Sequence, residues 1–221
     1  MKNVRRRSRL NIMSAASMRL AVFLLAISIA NAAASDQIVG RWRTLKTSQG
    51  GIGEVYKFLP NGDVVYSPGA VVETTYRVEG DQLWIHGSNA GESEQKLKIK
   101  WLGENKLRLE PPSGSARRED KVSDLTRRGE RGNSKDPIIG EWTGTRDMGG
   151  RTLDMLWCFY PDGKSLFLMP FTHQPGHYTV KESTIRIELP EKTIERQFEI
   201  NGDVLTLTDA SGTGESRLKR F

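Results

Sequence analysis

The sequence is poor in the residues that form covalent cross-links and metal sites. It contains one cysteine, Cys158, and three histidines among 221 residues. A single thiol excludes an intrachain disulfide, even in an oxidising compartment. Neither a CxxC nor an HExxH pattern occurs in the sequence, so the common zinc motifs are missing as well. We therefore expect no cofactor, and a fold that is stabilised by burial of apolar side chains.

Long apolar runs are also lacking. The run from Leu20 to Ala30 has 11 residues, whereas a membrane-spanning helix needs about 20. It follows a basic stretch that ends at Arg19 and precedes small residues at 32–34, and these are the three parts of a secretory signal. We expect a signal peptide over residues 1–34, cleaved near residue 32 to 34, and a secreted or periplasmic mature protein without a membrane span. The alternative is an uncleaved anchor.

Beyond its first residues the chain has no excess of one charge sign. It holds 33 Lys and Arg against 27 Asp and Glu, a formal net charge of +6. Six of these bases lie within residues 1–34, which contain no acid, so the remaining 27 bases face 27 acids. This neutrality removes the bulk electrostatic argument for nucleic-acid or membrane-surface binding. We expect no nucleic-acid partner.

Catalytic motifs are missing too. The glycine-rich stretch 48–57 resembles the glycine-rich loop of protein kinases, but neither His-Arg-Asp nor Asp-Phe-Gly occurs. We interpret this stretch as a turn between strands. Carboxylates and hydroxyls are scattered, and no Ser-His-Asp set can be nominated. We therefore expect no enzymatic activity.

The histidines and the cysteine suggest a metal hypothesis. His173 and His177 flank a turn, where their rings could chelate a metal with Cys158 or a methionine as a third ligand. The spacing is loose, which favours two polar loop residues instead. Cys158 lies between Trp157 and Phe159 in the sequence, so its side chain is expected on the strand face opposite to theirs. This position is typical of an inert, half-buried thiol.

What the chain does contain is an internal repeat. The first copy begins with Asp36, Ile38, Gly40 and Trp42. The same residues recur in the same order in the second copy, as Asp136, Ile138, Gly140 and Trp142. Pro-Asn-Gly at 60–62 recurs as Pro-Asp-Gly at 161–163. The two copies cover residues 36–128 and 136–221, and a polar linker at 129–135 joins them.

Within each copy, apolar and polar residues alternate, as half-buried strands require. Glycine at positive φ in the repeated Pro-Asn-Gly and Pro-Asp-Gly sequences favours hairpin turns. In the second copy the pattern predicts eight strands, near 140–146, 152–160, 165–169, 176–180, 184–189, 193–200, 204–208 and 215–221. Sequential antiparallel strands lose their edges by closing into a barrel. The predicted fold is all-β, with two tandem eight-stranded antiparallel up-and-down barrels, one per copy.

Two short motifs resemble those of lipocalin-like barrels. Gly-x-Trp opens the first strand of each copy, at Trp42 and Trp142, and an arginine lies in the last strand of each, Arg127 and Arg220. In that family the arginine packs over the tryptophan at the closed end of the barrel. The resemblance implies a structural plug in each barrel, with Trp42 paired to Arg127 and Trp142 paired to Arg220 through a cation–π contact.

The inward-facing aromatic residues are the remaining candidates for a function. An eight-stranded barrel is either filled by its own side chains or holds one small ligand. The candidate ligand-binding residues are Tyr56, Tyr76, Trp101, Trp157, Tyr178 and Phe198. The leading hypothesis is an exported, non-catalytic protein that binds a small apolar ligand or an extracytoplasmic protein partner. The alternatives are an inhibitor of secreted proteases, a class to which the resemblance extends, and an enzyme with a catalytic residue inside the barrel.

Overall fold

The alternating pattern produces strands along most of the chain. The computed structural model describes residues 36–87, 94–112, 122–130 and 136–221. The predicted signal peptide, its cleavage site and most of the predicted linker lie outside the described residues. Within the described ranges, no helix is both long and apolar enough to cross a membrane.

The all-β prediction is confirmed. The described residues form fifteen strands, and all of their pairings are antiparallel. The strands are β1 Gly40–Thr44, β2 Ile52–Phe58, β3 Asp63–Glu79, β4 Gln82–Gly87, β5 Gln95–Gly103, β6 Lys106–Glu110, β7 Ser123–Arg128, β8 Gly140–Met148, β9 Arg151–Phe159, β10 Lys164–Pro170, β11 Gln174–Lys181, β12 Thr184–Leu189, β13 Lys192–Asn201, β14 Val204–Thr208 and β15 Glu215–Arg220. The eight strands predicted for the second copy match β8 to β15 to within two residues at each end.

The first copy differs from the second at β3. This strand runs for 17 residues without a break, whereas the second copy has two strands there, β10 and β11, separated by residues 171–173. The first part of β3 pairs with β2 and β11, and the later part pairs with β10 and β4. One continuous strand therefore passes from one set of partners to another.

The pairings form two rings of eight strands that share β3. Ring A consists of β1, β2, the first part of β3 and β11 to β15, and it closes where β15 pairs with β1. Ring B consists of the later part of β3 and β4 to β10, and it closes where β10 pairs with β3.

Neither ring follows the boundaries of the repeat. Ring A joins the first strands of copy one to the last five strands of copy two, and ring B does the reverse. This pairing corrects the prediction that residues 36–128 and 136–221 each close on themselves. The physical reason lies in β3. For copy one to close on itself, the chain would have to turn within this strand, and β3 continues there without a turn.

Buried side chains form three clusters. One lies inside ring A around Trp42 and Phe58, and one lies inside ring B around Trp142 and Phe159. The third cluster lies on the outer faces of β3, β9 and β10, and we call it the seam; its buried members are Val71, Cys158, Leu166 and Leu168. The two rings therefore pack against each other through apolar side chains.

Candidate functional site

An arginine covers a tryptophan at one end of each ring. The guanidinium carbon of Arg220 lies 4.1 Å from the ring centroid of Trp42, and that of Arg127 lies 4.1 Å from the centroid of Trp142. The partners are thus exchanged relative to the predicted pairs. The exchange follows from the strand pairing, since β1 pairs with β15 and β8 pairs with β7.

The geometry of each plug explains the Gly-x-Trp motif. Nε1 of Trp142 donates a hydrogen bond to the carbonyl of Ile138 at 2.7 Å, and Arg127 donates to the carbonyl of Ile139 at 2.7 Å. Gly140 has a φ of +129°, and a Cβ there would lie 2.8 Å from Nη1 of Arg127. A side chain at this position would displace the guanidinium, which explains the glycine of the motif.

Two of the predicted ligand-binding tyrosines have structural partners instead. The hydroxyl of Tyr76 donates to the carbonyl of Tyr160 at 2.8 Å, and its ring packs edge-on against Phe159 at 5.0 Å. Tyr178 repeats this arrangement in ring A with the carbonyl of Leu59 at 2.9 Å. Tyr76 thus ties β3 to the turn between β9 and β10, and Tyr178 ties β11 to the turn between β2 and β3.

The other candidates are divided between the two rings. Tyr56 is buried inside ring A, and Phe198 packs against the same cluster. Trp101 is 41% exposed and lies beside the plug residue Trp142, with 6.0 Å between ring centroids. Trp157 lies inside ring B, and of the six predicted residues it is the one that lines a cavity there.

This cavity has a volume of about 200 Å³, lies among the strands of ring B and is partly open to solvent. All eight strands of the ring contribute to its wall, whose residues are Val72, Thr74, Ile85, Gln95, Leu97, Leu109, Ser123, Arg146, Met155, Trp157 and Phe167. Most of these side chains are apolar. Sequence reasoning identified Trp157 but missed the other residues, because the parity of a strand does not show where packing leaves a void.

The indole of Trp157 is the most unusual group in the wall. Its side chain packs on Phe159 at 5.3 Å and edge-on against Phe167 at 5.4 Å, which fixes its orientation. The residue is 9% exposed, and its Nε1 is buried without a hydrogen-bond partner among the described residues. A buried donor without an acceptor costs about 1–3 kcal/mol, and native proteins contain few of them.

Ring A carries polar side chains at the corresponding positions. Counting back from the matched residues Phe58 and Phe159, Tyr56 corresponds to Trp157 and Glu54 corresponds to Met155. Glu54 accepts hydrogen bonds from Tyr56 at 3.1 Å and from Tyr66 at 2.7 Å. Burial raises the pKa of both tyrosines, so their hydroxyls stay protonated donors. The polar groups of ring A therefore satisfy one another.

The histidines have separate partners. Nδ1 of His177 lies 2.8 Å from a carboxylate oxygen of Asp63, and Nδ1 of His173 lies 2.8 Å from Oγ of Ser67. Among the described residues, no group of three or more His, Cys, Asp or Glu side chains could hold a metal ion. Burial raises the pKa of the Cys158 thiol to about 11, so this thiol is protonated at neutral pH and is a poor nucleophile.

Ser67, His173 and Asp154 meet in a groove of about 380 Å³ between the rings. Sequence reasoning missed this set because its members lie on β3, on β9 and between β10 and β11. The order of contacts differs from that of a catalytic triad, in which the serine bonds to Nε2 and the carboxylate to Nδ1. Here Asp154 lies 3.9 Å from Nε2, and its side chain is 75% exposed. A carboxylate in water orients the imidazole weakly, so the geometry favours a structural hydrogen bond.

No family model, curated protein or solved structure matches this chain. The interpretation of the cavity therefore depends on its own geometry.

Proposed function

We propose that the protein is a non-catalytic binding protein of two closed, lipocalin-like barrels, which holds a small apolar ligand inside ring B. The observation that carries this proposal is the cavity of about 200 Å³. An apolar cavity of about 150 Å³ is large enough to bind benzene. The void in ring B therefore has room for one ring-sized molecule.

The strand pairing supports the barrel interpretation. Each ring returns to its starting strand through hydrogen-bonded neighbours, so it leaves no free strand edge. The signal-like N-terminal segment supports a secreted or periplasmic carrier. A protein partner and a protease-inhibitor role are the alternatives, and the inhibitor version would use residues before Asp36, outside the described ranges. The cavity favours the small ligand over both.

Toluene is a suitable probe for the proposed site. We expect it to bind the purified exported chain, as measured by ligand-observed NMR and by calorimetric titration. Leu97→Phe places extra volume in the cavity and should weaken toluene binding by about tenfold or more. Leu102→Phe is the matched control, because it makes the same change on the same strand at a side chain that is 45% exposed.

The native mass of the exported chain provides an independent test. A reproducible small-molecule increment over the denatured mass would identify a ligand acquired during expression.

For the toluene comparison to hold, Leu97→Phe and Leu102→Phe must both keep the circular dichroism spectrum of the wild type. Absence of toluene binding to the wild type, or equal binding to both variants, would overturn the proposal.

A further inference from the structure

We propose that the groove between the rings binds a single-chain carboxylate, with its head group at Arg41, Lys57 and Arg128 and its aliphatic chain along the seam. This site lies outside ring B and goes beyond the proposed function. The groove shares Met155 with the ring B cavity, but none of the three cations lines that cavity.

The floor of the groove is apolar and partly exposed. Val55 of β2, Leu156 of β9 and Phe221 are partly buried side chains that pack on the seam, and all three line the groove. Its volume of about 380 Å³ lies within the roughly 300–1,000 Å³ of ligand pockets. An aliphatic chain that covers this floor would remove apolar surface of both partners from water.

Three cations of the groove form one cluster. Arg41 and Lys57 lie directly opposite each other on β1 and β2, an arrangement in which like charges repel. Arg128 lies opposite Glu141 in the pairing of β7 and β8. The carboxylate of Glu141 forms ion pairs with both arginines, with 4.0 Å to Nε of Arg128. One carboxylate thus serves two arginines, and a lysine lies beside them.

The positive charge of this cluster is not balanced by the protein. In the part of the chain that the structure describes, Lys57 has no ion-pair partner. The carboxylate in the wall of the groove is that of Asp154, which lies opposite Thr145, whereas Glu141 lies opposite Cys158. Four residues of β8 separate Glu141 from Thr145, a distance of about 14 Å. The cationic end therefore attracts an anion.

The order of side chains along β9 gives the direction of the chain. Leu156 lies between Cys158, at the cationic end, and Asp154, at the other end. A carboxylate bound at the cations can thus lay its chain over Leu156 and Val55. Since the side chain of Arg128 is 52% exposed, the head group stays partly hydrated and avoids the full cost of burying a charge.

Charge and apolar surface together select the class of ligand. An inorganic anion would use the cations and leave the floor uncovered. A neutral hydrocarbon would cover the floor and leave the cations as they are. A carboxylate on an unbranched chain uses both, and extended decanoate has about the length of the groove.

The test compares three probes of nearly equal length, namely decanoate, decanol and decyltrimethylammonium. Each is titrated calorimetrically into the full exported chain, below the concentration at which the probe aggregates. We expect decanoate to bind about fivefold more tightly than decanol, because pairing of partly exposed charges adds a modest gain. Decyltrimethylammonium should bind more weakly than both.

Lys57→Gln removes the cation that has no partner. We expect it to lower the ratio of the decanoate affinity to the decanol affinity about threefold. Lys100→Gln is the matched control, because Lys100 is also an exposed strand lysine and also lies directly opposite an arginine, Arg108. The control should leave the ratio unchanged. Both lysines are exposed, so we expect both variants to fold.

A second measurement locates the chain without any substitution. In wild-type protein with ¹³C-labelled valine and leucine methyl groups, decanoate should give intermolecular NOEs to Val55 and Leu156. Leu97 and Leu109, which line the ring B cavity, should give none.

Three results would overturn the inference. They are decanoate that binds no more tightly than decyltrimethylammonium, equal affinity ratios in Lys57→Gln and Lys100→Gln, and NOEs to Leu97 and Leu109 in place of Val55 and Leu156. Each leaves the proposed function standing, since toluene binding tests that function separately.

Discussion

At the scale of single residues, each plug depends on three residues that constrain one another. Trp142 fills the end of ring B, Arg127 covers its face at 4.1 Å, and Gly140 leaves the space that the guanidinium occupies. Trp42, Arg220 and Gly40 repeat the set in ring A. The glycine and the tryptophan of Gly-x-Trp are two residues apart because both must lie against the same arginine.

Gly140→Ala tests this requirement. The new Cβ would meet the Arg127 guanidinium and would force alanine to a φ of +129°, so we expect the free energy of unfolding in urea to fall by about 1–3 kcal/mol. Gly103→Ala is the control, because its φ is +154° and no atom lies within 4 Å of the added Cβ. Equal losses in the two variants would show that the contact with Arg127 is unimportant.

Cys158 gives a prediction about pH. Burial in the seam raises its pKa from an ordinary value of 9.0 to about 11, so the folded state holds this proton more tightly than the unfolded state. The resulting stability is fully present below pH 9 and is lost as the pH rises toward 11. We expect the Tm of the wild type to fall between pH 9 and pH 10.5 more steeply than that of Cys158→Ala. Parallel curves would contradict the buried thiol.

At the scale of elements, β3 determines how the chain is divided. It crosses from ring A to ring B near Gly69, which pairs with Pro170 of β10. A Cβ on Gly69 would lie 2.6 Å from the Cα of Pro170. The two strands therefore approach as closely as their backbones allow at the point where the rings meet.

Gly69→Ala should separate β3 from β10. Because Gly69 also pairs with Gly53 of β2 in ring A, we expect a loss of more than about 2 kcal/mol in the free energy of unfolding, with weaker hydrogen-exchange protection in β2 and β4 alike. Gly50→Ala serves as the control, since the nearest atom to its added Cβ is Oγ of Ser48 at 3.9 Å. Loss of protection in only one ring would contradict a shared β3.

At the scale of the whole molecule, the two copies form one structure. Each ring needs strands from both copies, and the apolar seam lies between the rings. Arg41 and Glu141, the middle residues of the two Gly-x-Trp motifs, form an ion pair with each other. Unfolding of one ring therefore removes strands and contacts from the other.

A cut between the copies tests this interdependence. With a protease site inserted at 131–135, we expect the cleaved chain to elute from gel filtration as one particle of the original size, although denaturing electrophoresis shows two fragments. In urea the fragments should separate. Elution as two smaller particles without denaturant would indicate that each copy closes on itself.

The sequence alone determined the strands. Alternation of apolar and polar side chains is a local property, and it predicted β8 to β15 to within two residues as well as the inward face that carries Trp157. Glycine turns and the Gly-x-Trp motif are local too, and both took the places that the pattern indicated.

Only the tertiary structure decided which strands became partners and where a void remained. The two copies present similar strand edges, so β1 could pair with β7 or with β15, and the uninterrupted β3 favours β15. The exchange of Arg127 and Arg220 between the plugs follows from that choice. The cavity depends on how eight strands pack their side chains together, which no single stretch of sequence contains. Strand pairing and side-chain packing depend on many residues that are far apart in the sequence, whereas the strand pattern depends on residues that are adjacent in it.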